Sequence, residues 1–143
     1  MIEQARARCP TVDHLAALFF TAAETNRALP SPMAVLRDKG SWPEIAPDRM
    51  AYGYNETEIR RGPATARQIS DYDLACELLP LMEVDEAKLV WAAAATAAFR
   101  QRGPNWRKVA RWADCHPATA KRRFMDAILR LHYRLESLQR GRQ

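Results

Sequence analysis

The stretch WRKVARWADCHPATAKRRF, Trp106 to Phe124, carries the pattern of two helices joined by a sharp turn. Asn105 is placed to cap a helix of about eight residues, Trp106 to Ala113. Val109-Ala110 sets a branched apolar residue beside a small one, as a helix does where a second helix crosses it. Asp114 falls at the turn, Cys115 beneath it as an apolar plug, and His116 at the cap of the next helix. Pro117 suits the first position of that helix, where no backbone N–H is needed. Thr119 and Ala120 lie along it, with Ala120 facing back toward Ala110. Lys121 and Arg122 then project outward and Phe124 returns to the core. The turn position favours glycine because its backbone is left-handed, a conformation that Asp tolerates better than most residues. Histidine is a poorer cap than Ser or Thr. Arg123 takes a position that is often apolar, so its stem is expected on the core and its head in solvent or on phosphate.

Charge singles out the same region. Residues 1–99 hold 10 Lys/Arg against 14 Asp/Glu, whereas residues 100–143 hold 12 against 3, a net of +9 within a chain of net +5. Such a surplus repels itself unless a polyanion neutralises it. The cations alternate with Trp106, Val109, Trp112, Phe124, Ile128 and Leu131, so the segment is built to fold. A folded basic segment in an otherwise acidic chain reads as a nucleic-acid face.

Outward from this unit the remaining pattern is helical. Thr11 caps a helix to about Ala28, with Val12, Leu15, Ala16, Phe19, Ala22 and Ala23 on one face and Pro30 as its stop. Ser31-Pro32 opens a short helix over 33–38. A long connection over 41–63 follows, with Trp42, Tyr52 and Tyr54 expected on the core. Ile69, Asp71 and Tyr72 lead into a helix to about Leu79, burying Leu74, Leu78 and Leu81. Asp85-Glu86 opens another that runs to Phe99 or Arg100 and stops at Gly103-Pro104. Pro117 begins the last helix, unbroken to Gly141. The expected division is a helical N-terminal region with a long ordered loop, 1–65, and a DNA-binding unit, 66–143.

In that last helix Phe124, Ile128, Leu131, Leu135 and Leu138 form a heptad seam. The first three close the core; Leu135 and Leu138 either pack on the N-terminal helices or make a homodimer contact. Arg130 and Arg134 share another face, either solvated or on phosphate.

Other classes are poorly served. With 143 residues, 48% apolar, the chain can bury a core without disulfides. Cys9, Cys76 and Cys115 form an odd set with no C-x-x-C pair, which suits a reduced, cytoplasmic setting. No apolar run approaches a membrane span, and the N-terminus lacks a secretory pattern. His14, His116 and His132 stand in no metal spacing, and the adjacent Cys115 and His116 diverge too far to act as nucleophile and base. There is no P-loop and no dinucleotide fingerprint, so no catalytic residue, metal or cofactor is expected.

Trp91-Ala92, the run Trp106 to Ala110 and the run Ala118 to Arg123 together resemble the C-terminal part of small bacterial and phage-associated helix-turn-helix proteins. That part is similar to the promoter-reading region four of sigma factors, and the resemblance covers about residues 69 to 138. The helical pattern along the whole chain predicts an all-α fold, with a helical N-terminal part packed on the helix-turn-helix and a long last helix. The resemblance implies DNA binding or docking on RNA polymerase, and the function expected is transcriptional regulation on double-stranded DNA, with RNA polymerase as a further partner. Pro117, Ala118, Thr119, Lys121 and Arg122 are the expected base readers; Arg102, Arg107, Lys108 and Arg123 are the expected phosphate contacts. Two rival readings remain, a phage small terminase subunit and a protein-interaction module that docks on polymerase without touching DNA.

Overall fold

Every helix whose start is described opens on a polar cap or an acidic first turn, and the caps explain the boundaries. The computed structural model describes residues 7, 9–29, 63–100 and 103–141. Helix α1, Val12–Ala28, starts where the Thr11 hydroxyl accepts the His14 N–H at 3.3 Å. It ends at an extended Leu29, since the residue before a proline is kept out of the helical region. Helix α2 spans Ala66–Leu78 and begins three residues earlier than the expected lead-in at Ile69. The cause is a reciprocal capping box: Thr65 Oγ1 accepts the Gln68 N–H at 3.3 Å, and Gln68 Oε1 accepts the Thr65 N–H at 2.8 Å. A 3-10 turn, Leu79–Leu81, follows and leaves Leu81 half-buried rather than in the core. Helix α3, Val84–Arg100, carries Asp85 and Glu86 in its first turn, where negative charge meets the positive end of the helix dipole. Gly103 turns the chain at φ 81°. Helix α4, Trp106–Trp112, and helix α5, Pro117–Arg140, complete an all-α arrangement; no strand occurs among the described residues.

One apolar cluster draws on all five helices. Helix α1 lies against α2 and α3, and α5 packs across α3, α4 and α1. Leu15, Phe19 and Ala22 of α1 are fully buried with Leu78, Val90, Ala93, Ala94 and Ile128. Buried Ala93, Ala94 and Ala98 of α3 are small, which lets helix axes approach. Phe124 is the joint: its ring stacks on Phe20 at 5.8 Å and meets Trp106 edge-on at 5.5 Å, tying α1, α4 and α5 together. Polar ties span the same contacts. The Tyr72 hydroxyl donates to Asn26 at 3.2 Å, and Arg27 donates to the Ala98 carbonyl at 2.7 Å.

The structure settles one open choice for the last helix, Leu135, and corrects one expectation, for Arg130 and Arg134. Leu135 is buried, 6% exposed, so it closes the chain's own core and is not available to a second copy; Leu138 is 39% exposed. Arg130 and Arg134 are neither merely solvated nor poised for phosphate. Arg130 pairs with Glu86 of α3, and Arg134 donates to the Leu81 carbonyl at 2.5 Å. No helix among the described residues is long and apolar enough to cross a membrane. The short helix over 33–38, Trp42, Tyr52, Tyr54 and Arg102 lie outside the described residues.

Candidate nucleic-acid interface

The unit that displays the cations is held by short-range hydrogen bonds. Asn105 accepts the Lys108 N–H through Oδ1 at 3.3 Å, and its own N–H donates to Thr96 Oγ1 at 3.1 Å, anchoring the start of α4 on α3. At the other end, the Cys115 N–H reaches back to the Ala110 carbonyl at 3.0 Å. That six-to-one bond closes the helix around its cap residue Ala113, and the residue after the cap, Asp114, is left-handed at φ 47°. Cys115 is half-buried against the core. His116 Nδ1 accepts the Ala118 N–H at 3.3 Å, which requires a ring unprotonated at Nδ1, and Pro117 takes the first helical position. Beneath the turn Val109, Ala110, Ala120 and Phe124 are all buried. The small residues stand where α4 and α5 cross.

Six cations decorate the outside of this pair of helices. Arg107, Lys108 and Arg111 on α4, and Lys121, Arg122 and Arg123 on α5, are exposed, and none forms an ion pair among the described residues. Arg107, Lys108 and Arg111 line one hollow of about 430 Å³ together with Asn105. Arg111 was not singled out from the sequence, although its spacing of four from Arg107 and three from Lys108 puts all three on one helix face.

The expected base readers divide. Ala118, Lys121 and Arg122 are exposed; Pro117 and Thr119 are half-buried at the start of α5. Arg123 lies on another side, lining a cavity of about 530 Å³ of mixed charge with Asp85, Glu86, Asp114, Lys88 and Arg130. Trp112, 58% exposed, stands at the mouth of the same cavity. Among the described residues no three His, Cys, Asp or Glu side chains gather as metal ligands.

The chain belongs to the family described as a domain of unknown function, DUF6362, whose model matches residues 27–131 and so takes in α4, the turn and the first half of α5. No curated protein and no solved structure matches it.

Proposed function

We propose that this member of the DUF6362 family binds double-stranded DNA and regulates transcription, acting at promoters together with RNA polymerase. The observation that carries the reading is the set of exposed cations without ion pairs on α4 and the start of α5, on two helices locked in one orientation by the Asp114 turn. In this arrangement the first helix crosses the backbone and the second enters the major groove. Arg107, Lys108 and Arg111 then hold phosphates. Ala118, Lys121 and Arg122 meet base edges, and the planar fork of Arg122 suits the two acceptors of a guanine. Thr119 and Pro117, half-buried, contribute at the rim. Arg123, exposed on the same helix, adds a further phosphate contact. The promoter and polymerase part of the proposal rests on the resemblance to sigma region four.

The test is a titration of labelled duplex at several salt concentrations. Log affinity should fall linearly with log salt, by about 0.9 for each phosphate neutralised. A chain with no salt-dependent duplex affinity refutes the proposal and favours a protein-docking module.

A further inference from the structure

Opposite its buried seam, α5 carries a second apolar stripe. Met125, Leu129 and Tyr133 are 41%, 38% and 60% exposed. Their four-residue spacing puts them on one helix face, each partly open to solvent. Arg122 stands three residues before Met125, and Glu136 stands three residues after Tyr133. Counted from Leu129, the order is complementary to its own reversal. Arg122 lies seven residues back and Glu136 seven forward; Met125 lies four back and Tyr133 four forward.

From this order we infer that the outer face of α5 pairs with the same face of a second copy, antiparallel, with the two-fold axis passing beside Leu129. Leu129 meets its own counterpart, each Met125 meets the other chain's Tyr133, and each Arg122 meets the other chain's Glu136. At 1.5 Å of rise per residue the two ion pairs fall about 10 Å on either side of the axis. The spacing of Arg122, Leu129 and Glu136 is the seven-residue repeat of a helix-pair seam. A parallel pair would set Arg122 against Arg122 and Glu136 against Glu136, which charge forbids. Glu136 already meets Arg140 of its own helix at 3.7 Å, and a carboxylate has acceptor sites for a second cation. The surface is small, so this is a reversible dimer at the low end of interface sizes.

A consequence concerns regulation and rests on the DNA-binding reading. Arg122 serves both the seam and the proposed groove face, so duplex and second copy exclude one another.

Sedimentation equilibrium of the full chain tests the pairing, with circular dichroism to check that each variant keeps its helices. The expected result is a monomer–dimer equilibrium that Leu129→Glu abolishes, by setting two carboxylates face to face. Arg122→Glu and Glu136→Arg should each weaken the dimer about tenfold, since two attractive pairs become repulsive, and the double variant should recover it. A chain monomeric at every concentration overturns the pairing. So does a dimer that survives Leu129→Glu, or a double swap no better than the single ones. Adding a random-sequence duplex of twenty base pairs then tests the exclusion. Dissociation of the dimer onto DNA supports it. A dimer that binds duplex intact refutes the exclusion and takes Arg122 out of the groove. A dimer with the expected swap behaviour but no duplex affinity refutes the DNA-binding reading alone.

Discussion

The two halves of α5 hold three cations each and use them differently. In the second half Arg130 pairs with Glu86, Arg134 caps the Leu81 carbonyl and Arg140 meets Glu136. Those three fasten the helix to the 3-10 turn, to α3 and to itself. In the first half Lys121, Arg122 and Arg123 form no ion pair among the described residues. The density of charge along the chain is equal, yet only the first half leaves its cations without partners of this kind among the described residues. A basic segment is therefore not a binding surface as such; the surface is what remains after the fold has engaged its own arginines.

The contrast can be broken most severely on α4. Replacing Arg107, Lys108 and Arg111 together by Ala should lower the salt slope by about three units and the duplex affinity at 0.1 M salt by two to three orders of magnitude. A titration against salt reads both, and an unchanged slope would mean that this hollow never meets phosphate.

Next in size is the crossing under the turn. Ala110→Leu puts a bulky side chain into a buried position, and should cost about 1–3 kcal/mol in a denaturant melt. If the variant melts like the parent chain, α4 and α5 do not cross at Ala110.

Arg122 sharpens the difference between reading and holding. Arg122→Ala should cost about 1–3 kcal/mol on a preferred site and little on random duplex, flattening the preference at one base pair. Lys108→Ala should weaken both by a similar factor. Paired titrations on the two duplexes decide it; equal losses for Arg122→Ala would make Arg122 a phosphate contact.

The smallest effect belongs to the engaged half. Arg130→Ala should remove about 1 kcal/mol of stability, because the arginine side chain is largely exposed, and should leave the salt slope unchanged. A loss of duplex affinity without a loss of stability would erase the distinction between the two halves.

Much of this was legible in the residues because the signals act within one helical turn. Thr11, Asn105 and His116 each cap the helix that follows them, and Asp114 takes the left-handed conformation that the turn demands. The start of α2 was legible too, in the pairing of Thr65 with Gln68, but the apolar rhythm beginning at Ile69 drew the boundary inward. Arg111 was passed over although its spacing places it beside Arg107 and Lys108.

By itself the sequence determined the described helices, their caps and the buried seam of α5, since propensity, capping and periodicity are properties of near neighbours. Tertiary structure alone decided which cations are engaged and where the seam ends. The partner of Arg130 lies 44 residues away and that of Arg134 lies 53 away, distances over which no local pattern carries information. Leu135 and Leu138 look equivalent in a heptad, yet one is covered and the other is half out. The fate of a long side chain depends on what the fold brings opposite it, and that is set by the packing of α1, α3 and α5 together.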